Sequence, residues 1–225
     1  MRIANALLDL LFPPKCPFCG RVQDAPDVCP ACEETLPWTD EDQGLRRLRG
    51  GLLCAAPLWY EDAVRDAIRR FKFRGGVTAA GPLGEQIAQV AAERFSGGFD
   101  TVAWVPVSAR RLRQRGYDQS LLLAEGACKL WGVEPERLLR KIRHNPAQSG
   151  LERAEDRWKN TQDVYVAAGD PAGRRILLVD DVCSTGSTLV SAAGVLLEAG
   201  AAEVVCVVAA FPRPEAENGG EKGKE

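Results

Sequence analysis

The sequence predicts an open α/β fold with a mostly parallel sheet, preceded by a small module built on four cysteines. Three observations carry that reading. Ile176-Leu177-Leu178-Val179 and Val204-Val205-Cys206-Val207-Val208 are unbroken apolar runs, the pattern of strands covered on both faces. A helical stretch from Ser187 to Ala199, closed by Gly200, lies between them, and strand–helix–strand with fully apolar strands implies a parallel pair. Near the start, Cys16-Pro17-Phe18-Cys19-Gly20 is followed by Cys29-Pro30-Ala31-Cys32, with nine residues between Cys19 and Cys29.

The 225 residues allow one full core and a small satellite. The expected division is 1–50 for an N-terminal helix and the cysteine module, 51–211 for the α/β domain, and 212–225 for a polar tail with nothing to bury. An apolar fraction of 45% and a charged fraction of 27% describe an ordinary globule. No stretch reaches the ~18 apolar residues of a membrane span. Met1 to Phe12 is broken by Asn5 and Asp9 and runs into Pro13 and Pro14, so it reads as a short amphipathic helix rather than a signal peptide. The expected location is therefore cytoplasmic, where thiols stay reduced and cysteines serve as metal ligands before disulfides.

The paired Cys-x-x-Cys knuckles supply the four-sulfur set that Zn²⁺ favours. Metal binding would then carry the folding of a segment this short. A redox Cys-x-x-Cys needs a single copy opening a helix, and Pro14, Pro17, Pro26 and Pro30 exclude that setting. Cys16, Cys19, Cys29 and Cys32 are the expected ligands of a structural zinc. Cys54, Cys128, Cys183 and Cys206 have no partner at useful spacing, and Cys206 reads as core.

From Leu52 onward the period changes. Val64, Ala67, Ile68 and Phe71 recur at helical spacing, with Arg65, Arg69, Arg70, Lys72 and Arg74 on the outer face, and Gly75-Gly76 ends the helix. Leu83 to Phe95 reads as a second helix, Thr101 to Val107 as a buried strand. Arg110, Arg111, Arg113 and Arg115 then lead into a helix over 118–131. Residues 137–160 have no clean period and read as a basic loop.

Charge is unevenly spread. The net is −2, yet residues 65–159 hold 18 basic and 11 acidic side chains. The middle of the chain is built to face something anionic.

The strongest chemistry lies in Ile176-Leu177-Leu178-Val179-Asp180-Asp181-Val182-Cys183-Ser184-Thr185-Gly186-Ser187-Thr188. A parallel strand ends in two carboxylates at the carboxyl edge of a sheet, where open α/β sheets bind ligands. A run of small and hydroxyl residues then enters a helix N-terminus, whose N–H groups and dipole favour phosphate. Carboxylates repel phosphate but suit sugar hydroxyls or a divalent cation. A Walker A loop would need a Gly-Lys-Ser/Thr ending, which is missing. A receiver domain would need more chain after Asp181. The site asks for a molecule with a phosphate at one end and a diol beside it.

Segment 176–189 resembles the phosphoribosyl-pyrophosphate motif of type I phosphoribosyltransferases. The wider pattern is similar to the ComF (ComFC/GntX-like) competence-associated family: Pro14-Lys15-Cys16-Pro17-Phe18-Cys19, Phe71-Lys72-Phe73-Arg74-Gly75, Val105-Pro106-Val107-Ser108, Arg113-Gln114-Arg115-Gly116-Tyr117-Asp118-Gln119, Gln148-Ser149-Gly150-Leu151 and Arg157-Trp158-Lys159-Asn160. Asp118 stands where that family commonly has Asn, and a second Cys-x-x-Cys set carried by some members is missing. The resemblance implies a phosphoribosyltransferase-type sheet after a four-cysteine zinc module. Its implied ligand is 5-phosphoribosyl 1-pyrophosphate (PRPP): Ser184, Thr185, Gly186, Ser187 and Thr188 for the 5′-phosphate, Asp180 and Asp181 for the ribose diol, and Arg113 and Arg115 for a Mg²⁺-bound pyrophosphate. The basic stretch 137–160 would be a hood over the site, with His144 in it. The reaction implied is transfer of phosphoribose to an acceptor that the sequence does not identify, with no general base legible. A second reading is a PRPP-responsive module without turnover that binds single-stranded DNA, or DNA-uptake and recombination proteins, through Arg65–Arg74 and Arg110–Arg115.

Overall fold

Two parallel apolar strands set the architecture. The structure, a computed structural model, describes residues 13–25, 27–73, 75–142 and 164–214. The expected helix before Phe12, most of the basic hood with His144, and the tail beyond 214 lie outside the described residues.

A short helix α1 (Pro30–Thr35) precedes three small strands, β1 (Leu45–Arg47), β2 (Leu53–Ala55) and β3 (Leu58–Trp59). Helices α2 (Asp62–Phe73) and α3 (Ala80–Arg94) follow, then β4 (Thr101–Trp104), α4 (Ala109–Arg115) and α5 (Gln119–Trp131). The chain continues with β5 (Leu139–Lys141), β6 (Tyr165–Ala167), β7 (Arg175–Val182), α6 (Ser187–Glu198) and β8 (Glu203–Phe211). The six-stranded sheet has the order β1-β2-β8-β7-β4, with β3 also pairing β8. All its pairs are parallel except β1–β2.

Strand periodicity divides the core in two. Leu177, Val179, Val205 and Val207 pack with α2, α3 and α5, whereas Ile176, Leu178, Cys206 and Val208 pack with α6 and the β5–β6 ribbon. The apolar runs are therefore covered on both faces, as the sequence implied. The chain leaving β4 goes to one face through α5, and the chain leaving β7 goes to the other through α6. The two connections thus leave on opposite faces, the kind of place at which open α/β sheets take ligands.

Several expectations change. Strand β4 stops at Trp104 rather than Val107: the Val105 N–H still bonds the Val179 carbonyl at 2.9 Å, but Pro106 has no donor to continue the ladder. The arginine run forms its own helix, α4, capped by Ser108 at its start and by left-handed Gly116 at its end. No residue of α4 is buried, so it carries no apolar period to read. The basic loop expected from residue 137 begins instead with β5, paired antiparallel with β6, because Leu138 and Leu139 are buried in the core. The sheet also begins on the N-terminal side of residue 50, with β1 as its edge. Pro212 and Arg213, expected in the tail, are held: Arg46 donates to the Pro212 carbonyl at 2.7 Å, and Arg213 pairs with Glu61 at 2.9 Å.

Candidate functional site

Two constellations stand out. In the first, the sulfurs of Cys16, Cys19, Cys29 and Cys32 all lie within 4.8 Å of one another. Cys19 and Cys29 are 3.7 Å apart, close to the ~3.8 Å edge of a tetrahedron with Zn–S bonds of ~2.3 Å. Gly20, at φ 75°, makes the turn after the first knuckle. Burial pushes the Cys16 thiol up, but the backbone N–H groups of Cys19, Cys29 and Phe18 outweigh it and bring it to about 6, whereas burial and the other three thiols push Cys32 well above its ordinary value, so one thiolate is favoured and another opposed. The donor set fits a structural zinc and has no position left for substrate. Cys16, Phe18, Cys29, Cys32 and Leu36 share one core with α2 and α3, so the module is not the self-contained unit the sequence suggested.

The second constellation lies where β7 meets α6. Asp180, Cys183, Ser184, Thr185, Gly186, Ser187 and Thr188 line one small cradle of ≈ 30 Å³. Gly186 is the N-cap of α6 at φ 75°, a conformation that favours glycine, and a Cβ there would meet Leu48 at 2.9 Å. With glycine as N-cap, no side chain at that position caps the first-turn N–H groups. Thr185 and Ser187 face each other, Oγ1 to Oγ, at 3.1 Å. Asp180 accepts from the Ser120 hydroxyl at 2.8 Å and from the Asp181 N–H at 2.9 Å. Asp181 pairs with the Lys72 ammonium at 2.8 Å. A larger groove, ≈ 390 Å³, runs between the cysteine module and α3 past Trp38, Gln86, Glu93 and Arg94, and none of these strand-end residues lines it.

The chain's middle and C-terminal part matches the model of the phosphoribosyl transferase domain over residues 121–222. Residues 7–43 match the double zinc ribbon domain. The chain is 28% identical over 199 residues to competence protein ComFC of Bacillus subtilis (strain 168), covering 84% of this chain and 74% of that one. It is 27% identical over 208 residues to DNA utilization protein YhgH of Salmonella typhimurium, covering 84% of this chain and 86% of that one. The ComF resemblance holds over most of the chain. Among solved structures, it is similar to a glutamine PRPP amidotransferase from B. subtilis complexed with ADP and GMP, with a TM-score of 0.41 and 27% identity. That match covers 59% of this chain and about a quarter of the other, 26%.

The electrostatics of the strand end oppose one another. Burial, then the neighbouring Asp181 charge, push the Asp180 carboxyl up to about 7, against the Ser120 and Asp181 donors and the Lys72 charge. Desolvation would lower the Lys72 ammonium, yet Asp181 and Asp180 hold it above its ordinary value. Arg115 donates to Gln119 at 2.6 Å and lies 5.0 Å from the Phe73 ring; burial and then the Arg111 charge lower its guanidinium, against the pull of Asp181. Arg113 is exposed on α4, without a hydrogen bond or ion pair to the described residues. The geometry thus gathers Asp180, Asp181, the loop Ser184–Thr188 and Arg115, and leaves Arg113 at the surface.

Sequence reasoning missed four neighbours. Lys72 read only as part of a basic helix face. Ser120 opened a helix with no sign that it would reach Asp180. Gln119 is fully buried, its Oε1 on Arg115 and its Nε2 with no partner among the described residues. Cys183 lines the cradle beside Cys54, whose interaction draws its thiol down, although the two stand far apart in sequence. The signal in hand was the motif Phe71–Gly75, quoted for the resemblance but given no role.

Proposed function

We propose that the chain binds PRPP at the carboxyl end of β7 and transfers its phosphoribosyl group to an acceptor, releasing pyrophosphate. The observation that carries this reading is the glycine-capped helix start lining one cradle with Asp180, with Asp181 next to it at the same strand end. The α6 N-terminus and the hydroxyls of Ser184, Thr185, Ser187 and Thr188 suit the 5′-phosphate. Asp180 and Asp181 suit the ribose hydroxyls, which donate to carboxylate oxygens. Arg115 suits the leaving pyrophosphate, and Arg113, exposed on α4, would have to swing in to join it. In the reaction, the bond from ribose C1 to the pyrophosphate oxygen breaks with its electron pair on pyrophosphate, and an acceptor lone pair forms the new bond. Buried charges and donors fixed around C1 and the leaving oxygens would favour the charge separation of that step.

Both carboxylates already have partners, Ser120 and Lys72, so among the described residues the strand end offers no ready oxygen cage for Mg²⁺. The ion enters this proposal as the companion of the pyrophosphate, neutralising its charge. The division into a cysteine module, a phosphoribosyltransferase-like domain and a tail belongs to the same proposal, as does a cytoplasmic location. Among the described residues, no helix is long and apolar enough to cross a membrane.

Calorimetry with PRPP and Mg²⁺ tests the reading. Asp180→Ala and Asp181→Ala should each weaken binding by about ten- to a hundredfold, the loss of a charged hydrogen bond. Gly186→Val should abolish binding of both PRPP and inorganic phosphate, while phosphate stays indifferent to Asp180→Ala. Equal affinity across the set would reduce the motif to a helix start. PRPP binding without pyrophosphate release from any acceptor, together with salt-sensitive single-stranded DNA binding, would favour the module reading, which the exposed arginines of α4 support.

A further inference from the structure

Three consecutive residues of α2 join the two constellations. The Arg70 guanidinium donates to the carbonyls of Pro17 and Phe18, both at 2.8 Å, and these two residues span the first knuckle between Cys16 and Cys19. Phe71 is fully buried, accepts a hydrogen bond from the Tyr117 hydroxyl on its carbonyl, and stacks on the Tyr117 ring at 5.9 Å. Lys72 reaches Asp181 at 2.8 Å, with only 20% of its side chain exposed. Residues i and i+2 of an α-helix project about 200° apart, so the last turn of α2 stands between knuckle and carboxylate with one cation on each. Beyond it, a Cβ on Gly76 would lie 3.2 Å from the Arg70 and Phe71 backbone, so the chain folds back tightly and closes that turn.

We infer that α2 ties the cysteine module to the ligand site: the Arg70 clamp on the closed knuckle fixes Lys72 against Asp181, so the state of the module sets the affinity for the ribose part of the ligand. Arg70 is then a positioning residue and Lys72 a residue of the site. The inference rests on the phosphoribosyl reading. Its physical basis is the charge problem of the strand end. Two adjacent carboxylates accept a diol best when their charges are offset and they are held in place; a mostly buried ammonium at 2.8 Å holds Asp181 and pulls against the rise at Asp180. When the knuckle opens, Pro17 and Phe18 leave Arg70, and the last turn of α2 loses the anchor opposite Lys72.

The test uses the full chain with its metal, without Mg²⁺, titrated with ribose 5-phosphate and with inorganic phosphate. Lys72→Met and Arg70→Met should each weaken ribose 5-phosphate by about tenfold. Inorganic phosphate, held by the loop alone, should change less than about twofold by the same argument. Arg70→Lys, which restores one donor to the knuckle, should recover part of the loss. The double variant should be no weaker than Lys72→Met alone, because both act on one contact. Wild-type protein stripped by a chelator supplies the same readout should Arg70→Met fold poorly. Ribose 5-phosphate binding unchanged in Arg70→Met and in the stripped protein overturns the inference, as does an equal loss of both ligands, which marks general damage. A wild-type chain that binds neither ligand overturns the phosphoribosyl reading itself, and the inference with it.

Discussion

Asp180 meets two opposed demands. A diol acceptor should be ionised, but burial and the Asp181 charge hold its carboxyl up at about 7. Ribose 5-phosphate affinity should therefore rise by about tenfold from pH 6 to pH 8 as the carboxyl ionises, once the phosphate's own titration is removed by parallel runs with inorganic phosphate. Asp180→Asn should flatten that difference. The sign for stability is the reverse. A carboxyl raised in the folded state keeps its proton where the unfolded chain has lost it, so stability falls as pH climbs from about 4 to 7. Asn can still accept from Ser120 and from the Asp181 N–H. Asp180→Asn should melt with wild type near pH 4 and above it at pH 8. A variant melting below wild type at pH 8 would show that the ionised carboxylate is net stabilising. Asp180 and Asp181 were legible in the sequence because they sit beside a glycine-hydroxyl loop. Lys72 was not, since its partner is set by how α2 lies against β7 and not by spacing.

Among the elements, the long apolar strands and the helices with an apolar face announced themselves. The short strands β1, β2 and β3, with two or three residues each, and the unburied α4 did not, because neither presents a period. Contact between α3 and α5 also escapes composition. A Cβ on Gly126 would come within 2.7 Å of the Ala80 carbonyl, and one on Gly84 within 2.7 Å of the Gly126 backbone. These helices approach backbone to backbone, and only glycine fits. Gly194, within α6, has nothing inside 4 Å of the same position. Urea denaturation should separate the two cases. Gly126→Ala should cost about 1–3 kcal/mol by overpacking, while Gly194→Ala should gain up to about 1 kcal/mol from helix propensity. Equal and small effects would mean that the helices can move apart at little cost.

At the scale of the molecule, the four cysteines were readable from spacing alone, whereas their place in the common core was not. A metal module expected to stand by itself is pinned by Arg70 and by packing against α2 and α3, contacts made across the chain that no local pattern records. The sheet edge, the glycine-capped helix and Asp180 then form one crevice, with Asp181 beside it on Lys72. The central claim is that this crevice holds a phosphoribosyl group, and a crystal structure of the protein soaked with PRPP and Mg²⁺ tests it most directly. The account predicts the 5′-phosphate on the N–H groups of the Ser184–Thr188 loop and the ribose hydroxyls on Asp180 and Asp181. Phosphate density elsewhere, with the Thr185–Ser187 contact intact and Asp180 still facing only Ser120 and the Asp181 N–H, would contradict it.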